Sequence, residues 1–224
     1  MKTLWGLHGS ADGSWGNVIL PAEQEFVKRA RLQAYKMLSW ENPQSVKWLN
    51  ERGISVVLVR IMLQGEQLAS PAAAWAASRD AVHGHYAAGV RLCALPSEPN
   101  LAIEGFRQPW RQFLIDAVNV GAMSSVEWVG CHCYWQQPRG ITDPNEGAHW
   151  KEYQRFAKTI FVTEFSNPAE GVDKIEKAKQ LVQFVSTLDL TVRAAFAFVS
   201  SASNGEFPHE TWTNEMADIV GARG

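Results

Sequence analysis

The sequence predicts an α/β fold, a (β/α)8-type barrel of small size in which one βα unit is degenerate or missing. Three observations predict it. Strand-like and helix-like stretches alternate through almost all of the 224 residues. The strand-like stretches are nearly continuous apolar runs, the pattern of parallel strands covered by helices on their outer side. No linker, internal repeat or low-complexity tract interrupts the alternation, so residues 1–224 read as one domain.

The elements follow in order. Thr3–His8 reads as the first strand, closed by the turn-rich Gly9-Ser10-Ala11-Asp12-Gly13. Pro21–Ala30 is a helix with Pro in its first turn. Leu32–Leu38 is the second strand, and Asn42–Arg52 a helix that stops at Gly53. Ile54–Met62 is the plainest strand, rich in Val and Ile. Ser70–Ala88 is an Ala-rich helix ending at Gly89. Val90–Leu95 is the fourth strand and Phe106–Val120 the helix after it. Val126–Tyr134, Thr159–Glu164 and Val192–Val199 complete the strands, with helices at Trp150–Lys158, Asp173–Thr187 and Thr211–Val220. In Asp173–Thr187 the residues Ile175, Ala178, Leu181, Val182 and Val185 form one apolar stripe. That makes seven strands, one short of a full barrel. An open doubly wound sheet would carry a Gly-x-Gly-x-x-Gly phosphate loop after its first strand, which His8–Gly13 lacks.

Composition narrows the function. A net charge of −2 and a pI near 6.3 give no reason to expect nucleic acid or an anionic membrane as partner. No apolar stretch approaches a membrane span, and residues 1–9 read as a strand and not as a cleavable signal. That fits a cytoplasmic chain, or an excised domain of a secreted or phage protein. Ten Trp is a high count for this length, and indole rings stack on sugar faces as well as in cores. Cys93, Cys131 and Cys133 lie in strand-like runs and read as buried thiols. Cys131-His132-Cys133 is not expected to bind metal, because adjacent strand residues point to opposite faces and no second ligand pair follows. No cofactor is implied.

Polar residues gather where the strands end, at the carboxyl face on which barrels keep their chemistry. His8 ends the first strand, Trp40 and Glu41 follow the second, and Arg60 lies late in the third. Glu98 and Asn100 follow the fourth; His132, Tyr134 and Trp135 close the fifth; Glu164 closes the sixth. Two strand-end carboxylates suit glycosidic bond cleavage, in which one protonates the leaving oxygen and the other attacks the sugar carbon. His132 and Tyr134 share one strand face and the two thiols the other. Glu41, Glu104, Glu127 and Glu206 are spare carboxylates. Trp15, Trp40, Trp135 and Trp212 are candidate sugar platforms.

The motifs resemble those of the clan A retaining glycoside hydrolases, the (β/α)8 group of many cellulases, mannanases, xylanases and β-glucanases. In that clan a strand-four Asn-Glu-Pro carries the acid/base, and Ser97-Glu98-Pro99 is similar to it. His132-Cys133-Tyr134 resembles the clan's His-x-Tyr, and Thr163-Glu164-Phe165 its nucleophile motif. The resemblance implies Glu98 as acid/base and Glu164 as nucleophile. It implies Arg60 as the cation beside Glu164 and Tyr134 as a hydrogen-bond donor to it. Sugar contacts fall to His132, Ser97, Asn100, Trp135, Trp40 and His8. The substrate it implies is a β-linked poly- or oligosaccharide, cut within the chain. Ser97 departs from the clan's Asn, and Phe196 and Phe198 stand in the strand where the clan places a Trp. A sugar-binding barrel without turnover is therefore the second reading. A phosphate-handling isomerase or aldolase is the third, though no Lys ends a strand except Lys36 and Ser203-Asn204-Gly205 is a poor phosphate loop.

Overall fold

The computed structural model describes residues 2–9, 19–38, 43–60, 66, 70–90, 92–93, 112, 115, 129–156, 159–200 and 207–223, with the backbone alone at 38, 43, 58–60, 71, 74, 78, 92 and 93. The strands are β1 (Leu4–His8), β2 (Ala34–Leu38), β3 (Ser55–Arg60), β4 (Leu92–Cys93), β5 (Val129–Tyr134), β6 (Ile160–Ser166) and β7 (Val192–Ala197). The helices are α1 (Pro21–Arg29), α2 (Pro43–Asn50), α3 (Pro71–Ala87), α4 (Trp150–Tyr153), α5 (Lys174–Ser186) and α6 (Asn214–Gly221).

Local chemistry sets these boundaries. Pro21 opens α1, and the Glu23 side chain accepts from Leu20 N at 3.1 Å. Ser70, Asp173 and Thr213 cap α3, α5 and α6 by accepting from Ala73, Glu176 and Met216 N–H groups. Gly53 and Gly89 follow α2 and α3 at φ of 73° and 104°, the left-handed conformation expected of a helix-ending glycine. The helix expected over Trp150–Lys158 is shorter than the sequence suggested. It is preceded by 3-10 turns at Pro138–Thr142 and Gly147–His149.

The seven strands form one parallel sheet in the order β4-β3-β2-β1-β7-β6-β5. An open doubly wound sheet would reverse direction from a central strand. Here β1 pairs with both β2 and β7, and every two strands consecutive in sequence are adjacent except β4 and β5, which stand at the two ends of the order. The chain steps round in one direction, which is the strand order of a barrel. The junction between β4 and β5, the place of the degenerate unit, lies outside the described residues. So does the expected helix Phe106–Val120, apart from Gln112 and Ile115, both helical.

Strand alternation divides the core in two. Leu4, Ala34, Val57, Phe161, Ala194 and Phe196 point inward and fill the barrel interior. Trp5, Leu7, Tyr35, Met37, Cys131, Cys133, Val162 and Phe165 point outward and pack under the helices. Both thiols are fully buried in that outer layer, on the face opposite His132. At the next inward level, above the apolar plug, stand His8, Lys36, His132 and Glu164, all buried.

Candidate active site

Glu164 owes its direction to one extra residue. Phe161 points inward and Val162 outward, so strict alternation would send Glu164 outward with the helices. The pairing with β5 shifts here: Cys131 lies opposite Val162, and the next residue, His132, lies opposite Glu164. Thr163 is the unpaired residue of a β-bulge, its Oγ1 donating to Cys131 O at 3.2 Å. After it Glu164 faces in and Phe165 faces out.

Four side chains then converge on the carboxylate. Lys36 Nζ donates to Oε1 at 2.5 Å, and His8 Nε2 lies 3.1 Å from the same oxygen. Tyr134 OH donates to Oε2 at 2.5 Å, and His132 Nδ1 lies 3.1 Å from it. The group is only 9% exposed. Burial pushes its pKa up, but the Lys36 charge, then His132 and His8, outweigh it and hold the carboxyl well below its ordinary range. Glu164 is ionised at any pH near neutral.

His8 is held the other way. Burial first, then the charge of Lys36, bring its pKa down to about 4, against the opposing pull of Glu164 and of the Gly9 carbonyl. Its Nδ1 sits 2.8 Å from Gly9 O. A neutral ring has one N–H, so it donates either to Gly9 or to Glu164, and only protonation supplies the second donor. Phe198 closes this layer, meeting His8 and Tyr134 edge-on at centroid distances of 5.1 and 6.2 Å.

The fold thus brings together His8, His132, Tyr134 and Glu164 of the expected site residues. Tyr134 bonds Glu164 as anticipated, whereas His132 contacts the same carboxylate and not open solvent. Lys36 is absent from the expected set. Its signal was a lysine at the centre of an apolar strand, in phase with Ala34 and so facing inward, where a charge needs a partner. Trp135 requires a correction. It is 1% exposed, stacks on Phe184 at 5.1 Å, and donates from Nε1 to Gln180 at 2.9 Å. It lies under α5, because the alternation that points Tyr134 inward points Trp135 out. Trp212 is likewise buried, at 3% exposure. Glu98, Ser97, Asn100, Trp15, Trp40, Glu41, Glu104, Glu127, Glu206 and the Arg60 side chain lie outside the described residues.

Two further features border the mouth. Glu210, in the loop after β7, is buried, and burial raises its carboxyl pKa with help from the Glu164 charge, against a hydrogen bond from Ser166. Its low exposure within a surface loop is not visible in sequence. The loop after β5 lines an open depression of about 670 Å3, bounded by Gln136, Gln137, Arg139, Thr142, Asp143 and Glu146. Among the described residues no group of His, Cys, Asp and Glu is arranged to hold a metal, and no helix is long and apolar enough to cross a membrane.

The same architecture occurs in known glycoside hydrolases. The fold is similar to a GH128 (subgroup II) endo-β-1,3-glucanase from Sorangium cellulosum, with a TM-score of 0.65 at 16% identity over 98% of both chains. A curdlan-specific GH128 (subgroup III) exo-β-1,3-glucanase from Blastomyces gilchristii gives 0.54 at 15% identity, over 94% of this chain and 99% of that one. A GH113 β-1,4-mannanase gives 0.55 at 9% identity over the whole of both chains. No family model and no curated protein matches the sequence. The likeness is therefore one of fold, the (β/α) barrel that the sequence anticipated.

Proposed function

We propose that this chain is a retaining β-glycoside hydrolase that cuts within a β-linked polysaccharide, with Glu164 as nucleophile and Glu98 as acid/base. The observation that carries the reading is the ionised Glu164 carboxylate at the barrel mouth, gripped by Lys36, His8, His132 and Tyr134. A structural ion pair needs one partner. A carboxylate with donors on both oxygens is oriented as well as charged. The fold likeness to two β-1,3-glucanases favours a β-glucan as the first substrate to try, and the mannanase a β-mannan as the second.

In the first step Glu98 gives its proton to the departing oxygen while a Glu164 oxygen bonds to the anomeric carbon and the glycosidic bond breaks. In the second, Glu98 takes a proton from water, the water oxygen bonds to the same carbon, and Glu164 leaves as carboxylate. Lys36 serves this second step most, since a carboxylate stabilised by a cation is the better leaving group. The depression after β5, lined by amide, hydroxyl and charged groups, suits the hydroxyls of a longer sugar chain. Binding without turnover remains the second reading, favoured by Ser97 where clan A has Asn.

The test is release of reducing ends from curdlan, laminarin and mannan, followed by azide rescue. Glu164→Ala is expected to lose hydrolysis, with azide restoring turnover to an inverted glycosyl azide. Glu98→Ala is expected to keep its first step on activated aryl glycosides, with azide giving the retained product. Glu164→Ala also leaves Lys36 buried without its counter-charge, a cost of about 3–5 kcal/mol, so its folding is checked first. Normal activity in either variant overturns the role given to that glutamate.

A further inference from the structure

Phe207 stands in the loop leading from β7 into α6, on the same end of the barrel as Glu164. It is 40% exposed, the one aromatic among the exposed large apolar side chains of the described residues. Its ring meets Phe198 at a centroid distance of 5.0 Å and an angle of 80°. Phe198 in turn meets His8 and Tyr134, and both of these contact Glu164. Two ring contacts separate Phe207 from the carboxylate's own partners.

The backbone beneath this ring is unusual. Phe207 has φ of 56°, a left-handed conformation in which a bulky side chain is disfavoured and Gly or Asn is at ease. Residues 207–211 are held in that shape by bonds the ring does not share. Phe207 O accepts from Glu210 N at 2.9 Å and from Thr211 N at 3.0 Å. Lys174 Nζ donates to Pro208 O and Thr211 O at 2.7 and 2.6 Å, and Lys177 Nζ to His209 O at 2.8 Å. A strained residue, locked by its surroundings, here keeps an aromatic ring open to solvent beside the reacting carboxylate.

We propose that Phe207 is the aromatic platform of a sugar subsite on this rim, receiving the C–H face of a pyranose unit close to the one Glu164 attacks. The proposal rests on the glycosidase reading above. A hydroxyl-rich pyranose has an apolar face of axial C–H groups, which loses little water on covering a ring and matches its negative π surface. Phe207 is preorganised for that contact, since residues 207–211 are already held by the bonds above.

The experiment uses the whole chain carrying Glu164→Gln to stop turnover, with laminaripentaose and mannopentaose as probes in isothermal titration calorimetry. Adding Phe207→Ala is expected to weaken binding of the preferred probe about tenfold, while Phe207→Trp retains it. The thermal midpoint is expected to stay near that of the parent, because the ring is partly exposed. Unchanged affinity in Phe207→Ala overturns the platform and leaves the glycosidase reading standing. Equal loss in the Ala and Trp variants also overturns it, since stacking would survive the larger ring. Failure of the Phe207 parent to bind either probe overturns both.

Discussion

Lys36 and Glu164, 128 residues apart in the chain, share a buried ion pair of 2.5 Å across the barrel mouth. Neither charge is affordable alone at that depth, since an unpaired buried ion costs several kcal/mol while a paired one roughly breaks even. The Lys36 charge holds the Glu164 carboxyl well below its ordinary range despite its burial.

Lys36→Met tests that coupling. With the cation gone, the largest charge opposing burial is lost, so the Glu164 pKa is expected to rise. The acid limb of the pH–activity profile then moves to higher pH. An unmoved limb in folded protein means that another group, such as the Arg60 side chain, holds the carboxylate.

Stability is expected to fall as the solution is acidified, in two stages. His8 has its pKa lowered from 6.5 to about 4, so between those values the unfolded chain binds the proton and the folded one does not. The loss across that window is roughly 3 kcal/mol. Glu164, also lowered, contributes stability present above its unfolded pKa and lost as pH falls through its folded one. Urea denaturation from pH 7 to 4 measures the first stage, and His8→Gln is expected to flatten it.

Gly6 is expected to resist substitution. An added Cβ would sit 2.4 Å from Cδ1 of Phe196 and 3.2 Å from Ala34 O, inside the barrel plug. Gly6→Ala is expected to cost about 1–3 kcal/mol through overpacking, read as a lowered denaturation midpoint with little change in the denaturant slope.

Trp135→Ala separates a core residue from a sugar platform. The indole is buried against the stacked rings of Phe165 and Phe184, so the variant is expected to lose about 3–5 kcal/mol of stability. Oligosaccharide affinity of the folded fraction is expected to stay unchanged. A large drop in affinity with intact stability would return Trp135 to the binding surface.

Much of this was legible in the chain. Apolar runs broken at His8 and Tyr134 marked the ends of β1 and β5, whereas β6 runs two residues past Glu164 to Ser166; alternation along β5 correctly sent the thiols one way and His132 with Tyr134 the other. Gly53 and Gly89 marked helix ends because glycine is the residue most at ease at their φ. Three things were not legible. The partner of Lys36 was not legible, since Glu164 lies four strands away in sequence. Trp135 follows Tyr134 immediately, so nearness in sequence suggested a shared surface where the strand period denies it. The bulge at Thr163 leaves no mark in a sequence, because the extra residue is an ordinary strand former.

That bulge makes β6 a strand with two phases. Up to Val162 it keeps the beat of the barrel plug, and after Thr163 it keeps the beat of the mouth. Deleting Thr163 would restore plain alternation and keep the carboxylate at the mouth, whereas pairing every residue without the bulge would turn that carboxylate under the helices and send a phenyl ring into its place beside Lys36. Any comparison that aligns this strand by counting from its first residue will be one step out by the time it reaches Glu164.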